Sequence, residues 1–554
     1  MRLYFLTFFL VLFQTISYSQ QDFYKDYQFT EADTLRGMLR PERTCYDVKF
    51  YDLNIKIDPD NKFIDGYVDV FYEVVEDFES LQIDLYDNMK INKIVSQDEE
   101  LPFNRIHNAV FVQFPLQKES SKGSFRIFYE GHPTEALIPP WDGGFIWSKD
   151  KNKDHWIGVA CEGDGASLWW PNKDHLSDEP DSMSIRVAIP DPYLCVSNGN
   201  LRSKDSLSNN YTRYNWFVSY PINNYNVTVN IGKYVHFSDV YTSPDRHELQ
   251  LDYYVMPYNL EKAKKHFQSV HQTLKCFEHY FGKYPFWEDG YALVETPYLG
   301  MEHQSAIAYG NQYMRGYLGG MIPRDMDWDY IIVHETGHEY WGNSISCNDL
   351  AEMWIHESFT TYMEALYVEC TYGYQDAIDY LSIFRERPNI LNEQPILGPK
   401  DVNWEDWTGS DHYFKGSWIL HTLRHAINDD VLWFDILKSF YKENAISNIV
   451  TEDFVEYVKN KTGLPFIDSF FEQYLEYPDI PRFEYSLKQK EKDLEIKYRW
   501  ASTIEDFNMP LMVGRYGSYG QINPTTKWKR ATIKNLKKRE FKIATELFLI
   551  DVSK

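Results

Sequence analysis

Tyr330-Ile331-Ile332-Val333-His334-Glu335-Thr336-Gly337-His338 decides how the rest of this chain is read. Residues four apart on a helix share a face, so His334 and His338 aim two imidazoles at one point. Neutral imidazole is a good zinc ligand. Tyr330 to Val333 give the helix an apolar side to bury. Glu335 is rotated by about 100° from His334, which sets it beside the metal as a general base rather than as a ligand. Eighteen residues after His338 comes Glu357, inside Trp354-Ile355-His356-Glu357-Ser358-Phe359. A second helix carrying Glu357 supplies a third ligand and leaves one position for water, as a hydrolytic zinc site requires. One Zn2+ per chain is expected.

Outward from this stretch, the chain divides by periodicity. From about Tyr46 to His247, runs such as Leu53-Asn54-Ile55-Lys56-Ile57, Tyr67 to Val75, Ser184 to Ile189 and Tyr225 to Ile231 read as strands. The period changes near Pro257. Asn259 is placed to cap a helix with apolar positions Ala263, Phe267, Val270, Leu274 and Phe277, which Gly282 stops. Helical patterns recur at Trp328–Ser344, Glu352–Cys370, Tyr374–Arg387 and His412–Ile427, and Thr451 opens another. Pro478 and Pro481 mark a boundary, after which Leu494–Tyr498 and Glu546–Val552 read as strands. The expected fold is a multidomain α+β protein: signal peptide 1–19, N-terminal β-sheet domain 20–248, mainly helical zinc domain 249–478 and small C-terminal β-sandwich 479–554.

His334-Glu335-x-x-His338, eighteen residues, then Glu357 resembles the signature of the gluzincin aminopeptidases, the M1 family. Trp341-Gly342 also match. Gly300-Met301-Glu302-His303 is similar to that family's G-x-M-E-N motif, and Tyr413-Phe414-Lys415-Gly416 to its Tyr-x-Lys-Gly segment. The resemblance implies a thermolysin-like catalytic domain and removal of residues from the N-terminus of peptides. It implies that Glu302 binds the free α-amine, fixing the distance from the amine to the first peptide bond. It implies that Tyr413 donates a hydrogen bond to the oxyanion. Glu162, in Cys161-Glu162-Gly163-Asp164, looks like a second amine anchor, and Gly300 and Met301 like backbone that holds the substrate as an added strand. His303 stands where the family has Asn, and His356 where relatives often have Asn or Lys. Adjacent helix residues diverge by about 100°, so His356 is expected in a supporting or surface position, not on the metal. Only about 75 residues follow the catalytic domain. That is too few for the long helical cap of larger relatives, and a more open cleft is expected.

The net charge of −26 argues against nucleic acid as partner, since phosphate backbones need Lys/Arg surfaces. Arg2, the apolar run Leu3 to Ile16, and Ser17 and Ser19 before Gln20 read as a signal peptide, so an exported chain, periplasmic or secreted, is expected. No later stretch is apolar enough to cross a bilayer, so the mature chain is expected to lack a transmembrane segment. The six cysteines are scattered, which allows one or two disulfides without assigning them. The expected partners are peptides with a free N-terminus. Two other readings stay open: a zinc endopeptidase or epoxide hydrolase of the same family, and a catalytically inactive peptide-binding protein.

Overall fold

The computed structural model describes residues 19–404 and 406–554; apart from Ser19, the expected signal peptide lies outside the described residues. Alternating apolar and polar side chains build the first part of the chain as sheet. In the strand Tyr46–Asp58, Leu53, Ile55 and Ile57 are buried while the residues between them are not. This strand pairs antiparallel with Phe63–Val74 and parallel with Ser182–Pro190, at the centre of an eight-stranded sheet. A three-stranded and a four-stranded sheet complete this β region. The expected strand Tyr225 to Ile231 is instead a 3-10 turn, Asn224–Asn226, followed by the short strand Asn230–Gly232. Asn223 accepts from the Tyr225 N–H at 3.4 Å and bends the chain there.

A five-stranded mixed sheet comes next, in the order Val235–Thr242, Glu248–Val255, Tyr291–Glu295, Ile307–Tyr309, Gly300–Met301. The hairpin Val235–Val255 therefore spans the expected break at 248/249. Gly300–Met301 is the edge of this sheet. It pairs on one side only, Gly300 opposite Tyr309 and Met301 opposite Ala308.

The helices pack behind this edge. The helix expected from Asn259 to Gly282 is two helices, Leu260–His266 and Ser269–Tyr280. Asn259 does not cap the first: its backbone is helical, and its amide donates to the buried Glu295 carboxylate at 2.5 Å. Gly282 does end the second, at φ +112°. The other central helices are shorter than their patterns: Tyr330–His338, Trp354–Thr371, Tyr374–Ser382 and Phe414–Ile427. Cys276 and Cys370 form a disulfide that ties Ser269–Tyr280 to the far end of Trp354–Thr371, and the other four cysteines are buried and free. The C-terminal residues form a four-stranded and a three-stranded sheet, with Phe483, Ile496, Trp500, Leu511 and Val513 in one buried cluster with the helices. Within the expected strand Glu546–Val552 only the last residues, in Asp551–Ser553, are extended. The Leu549 backbone instead bonds outward to Thr422 and Tyr474 on the helices.

Candidate active site

Asp329 accepts the Ile332 N–H at 3.2 Å and starts the helix Tyr330–His338, a cap worth about 1 kcal/mol. Every residue of this helix is buried, so both histidines point into the protein rather than onto an outer face. Gly337 allows the helix Trp354–Thr371 to approach, since a Cβ there would lie 3.0 Å from Thr360 Cγ2. That approach brings the two histidines and Glu357 together. The two Nε2 atoms are 3.1 Å apart. Glu357 Oε2 lies 3.7 Å from His334 Nε2 and 3.4 Å from His338 Nε2.

These spacings suit a bound metal. Ligand atoms about 2.0–2.1 Å from a tetrahedral zinc are themselves about 3.3–3.4 Å apart. Glu357 Oε2 is buried and has no hydrogen-bond donor of its own. The outer ring nitrogens are occupied: His334 Nδ1 faces Glu364 Oε1 at 2.5 Å, and His338 Nδ1 faces the Trp341 carbonyl at 3.0 Å. Those contacts favour Nδ1–H tautomers and turn both Nε2 lone pairs inward. Two inward lone pairs and a carboxylate in a buried space form a donor set for a divalent cation, and the residues present fit zinc. Gly342, at φ +124°, keeps the following turn clear of His338, where a Cβ would fall 3.1 Å from Nδ1.

Glu335 is buried beside this triangle. Burial chiefly pushes its carboxyl up to about 8; the two imidazoles pull it down, while Glu302 and Glu357 push it up. Gly300 lets the sheet edge come close, because a Cβ there would sit 2.7 Å from Glu335 Oε1. Glu302 comes directly after that edge strand. It is 3% exposed and accepts a hydrogen bond from the Tyr225 hydroxyl at 3.0 Å. Asn343, from the turn after the histidine helix, donates to the Glu302 carbonyl at 2.7 Å. Glu162 enters from the β region on the Cys161-Gly165 turn. Burial, then Glu302, Glu357 and Glu335, raises its carboxyl well above the usual range. Tyr413 stands just before the helix Phe414–Ile427, its ring 6.1 Å from and nearly parallel to that of His334. Burial and the neighbouring Glu357 and Glu162 hold its hydroxyl well above the usual tyrosine range, so it stays a donor.

One cavity is lined by Glu162, Gly300, Met301, Glu302, His334, Glu335, His338, Glu357 and Tyr413. All nine site residues read from the sequence therefore converge. His356 does not join them. It is fully buried, not at the surface, and its Nε2 accepts the Cys347 N–H at 3.0 Å. His303 is also fully buried, with neither ring nitrogen hydrogen-bonded, and burial lowers it to about 3, leaving it neutral.

Sequence reasoning missed Glu364, Tyr225 and Asn343. Glu364 had a signal, since it lies seven residues after Glu357 and so two turns along the same face. Tyr225 had none, being one of 43 tyrosines in a distant segment. The role of Lys415-Gly416 is structural. Lys415 is buried and donates to the Pro478 carbonyl at 2.7 Å. A Cβ at Gly416 would fall 1.7 Å from Ser358 Oγ, so glycine permits the crossing of the two helices that places Tyr413 near Glu357.

Residues 258–474 match the family model described as the peptidase family M1 domain. This segment is a peptidase family M1 domain. Among the chain's relatives, aminopeptidase B of Mus musculus is 22% identical over 322 residues, 54% of this chain and 46% of the relative. Aminopeptidase N of Escherichia coli (strain K12) is 20% identical over 396 residues, 67% of this chain and 44% of the relative. The chain thus spans under half the length of these relatives. In fold it is similar to the M1 zinc metallopeptidase from Deinococcus radiodurans, with TM-score 0.65 at 18% identity, over 81% of this chain and 97% of that one.

Proposed function

We propose that this chain is a zinc-dependent aminopeptidase, with one zinc per chain on His334, His338 and Glu357. The observation that carries this reading is that the His–His–Glu triangle and Glu302 open into the same cavity. When bound, the ion supplies positive charge that polarises the attacking water and the scissile carbonyl and favours ionised Glu335. The remaining work falls to the chain. A peptide lies along the free edge of Gly300–Met301 as an added strand. Its terminal ammonium pairs with Glu302, with Glu162 opposite, which sets the first peptide bond against the triangle. Glu335 takes the proton of the attacking water and hands it to the leaving amine. Tyr413 donates to the oxygen on which negative charge develops, a contribution of about 3 kcal/mol for one preformed donor.

Export is part of the proposal. The Cys276–Cys370 disulfide supports it, because such bonds persist in oxidising compartments. Among the described residues, no helix is long and apolar enough to cross a membrane.

A panel of aminoacyl fluorogenic substrates, with and without a zinc chelator and beside Glu302→Ala, tests the reading. Cleavage that needs the metal and collapses in Glu302→Ala is expected. N-acetylated peptides should resist. Their hydrolysis, or unchanged activity of Glu302→Ala, would turn the reading to an endopeptidase.

A further inference from the structure

Large apolar side chains left exposed by a folded chain mark contact surfaces when they cluster. Here several cluster on two loops. Leu137, Ile138 and Trp141 are 86%, 66% and 65% exposed on one, and Met314, Leu318 and Met321 are 39%, 46% and 37% exposed on the other. The loops are far apart in sequence but meet at one place: Trp141 from the first and Tyr317 from the second line the same cavity as Glu302, Glu335 and Tyr413.

Neither loop is loose. The Asp142 carboxylate accepts from the Leu137 and Ile138 N–H groups at 2.5 and 2.6 Å, and the Trp141 N–H donates to the Ile138 carbonyl at 2.9 Å. Asp164, two residues from Glu162, accepts the Gly143 N–H at 2.5 Å, so the first loop is pinned to the turn that carries Glu162. In the second loop Asn311 donates to the Met314 and Gly316 carbonyls at 2.9 and 2.7 Å and accepts from Leu318 N–H at 2.7 Å. Hydrogen-bonded turns thus hold apolar side chains against water at the mouth of a cleft. The side chains gain free energy only when something apolar covers them, by about 25 cal/mol per Å².

The wall next to Glu302 agrees. Pro140, Trp141, Leu299, Met301, Tyr317 and Ile331 are among its uncharged members, and beside the two histidines its ionisable side chains are carboxylates, with no lysine or arginine. We propose that these two loops form the pocket for the substrate's first side chain, that it takes large apolar residues, aromatic or branched aliphatic, and that Trp141 is its specificity-determining residue. This rests on the aminopeptidase reading above. An N-terminal Asp or Glu would bring its carboxylate among Glu162, Glu302, Glu335 and Glu357 with no cationic side chain to receive it.

The test compares kcat/KM for Phe, Leu, Ala and Glu aminoacyl substrates in the wild type, Trp141→Ala and Trp141→Phe. Trp141 is mostly solvent-exposed, so its removal leaves the fold intact. Phe and Leu should exceed Ala by about 10–200-fold, the range an apolar pocket provides, and Glu should be poorest. Trp141→Ala should cut the Phe-over-Ala ratio about tenfold, mainly through the KM for Phe, and Trp141→Phe should restore most of it. A wild type that cleaves Ala or Glu as well as Phe overturns the inference, as does a ratio indifferent to Trp141. Calorimetric titration with phenylalaninamide and alaninamide reads the pocket without turnover: equal affinities overturn the inference. Trp141-dependent binding of phenylalaninamide without cleavage of any free-amine substrate would count against the proposed function alone.

Discussion

At the residue scale, the proposed mechanism separates groups that react from groups that aim them. Glu335 lies one residue round the helix from His334, against the glycine at the sheet edge. Glu335→Gln keeps its shape and removes its basicity. It should lower kcat/KM by about 10²–10⁴-fold while zinc content, read by elemental analysis, stays at the wild-type value. Activity within a few-fold of wild type would show that another group moves the proton. Glu364 is different, since it meets His334 from behind and does not line the cavity. Glu364→Ala should weaken zinc binding by about 10–100-fold in competition with a chromophoric chelator, and excess zinc should recover much of the activity. An unaltered zinc affinity would remove its positioning role.

At the scale of elements, the site depends on three helices meeting closely, and glycine decides two of the meetings. Gly337 admits the helix of Glu357 to the helix of the histidines, and Gly416 admits the helix after Tyr413 to the same partner. The disulfide then fixes the far end of that shared helix across 94 residues of sequence. In the chain-entropy picture a loop of this size is worth about 4–5 kcal/mol, with measured values for native disulfides of about 2–5. The double variant Cys276→Ser/Cys370→Ser should lose stability in that range in denaturant titrations. Its zinc site should survive at low temperature, because the triangle lies at the opposite end of the helix. A midpoint that does not move would mean that packing alone holds the helix.

At the scale of the whole molecule, the cleft continues beyond the triangle. A second, larger cavity of about 330 Å³ shares Trp141, Glu162, Glu357 and Tyr413 with the first and extends to Met353, Trp404 and Trp407. Glu302 lines the smaller cavity and not this one. If the amine is held in the small cavity, the large one receives the peptide on the far side of the scissile bond. Ten-residue peptides should therefore be hydrolysed at least as well as dipeptides of the same N-terminal residue, as read by mass spectrometry of the shortened products. A strict preference for dipeptides would show the large cavity closed to substrate.

The linear order of residues was enough wherever short-range geometry rules. The 3.6-residue period alone puts His334 and His338 on one face and rotates Glu335 off it, and apolar alternation alone builds strands such as Tyr46–Asp58. Resemblance supplied Glu302, Tyr413 and Glu162, which no local pattern singles out. Only the tertiary structure decided that Asn259 serves Glu295 instead of its helix, that His356 lies in the core, and that Cys276 pairs with Cys370. It also decided that Tyr225 reaches Glu302 and that Trp141, from another part of the β region, reaches the cavity. The physical reason is the range of the interactions: helix faces and strand alternation arise from bonds along the chain, whereas buried hydrogen-bond partners, disulfides and cavity walls depend on which distant segments the packed core brings together.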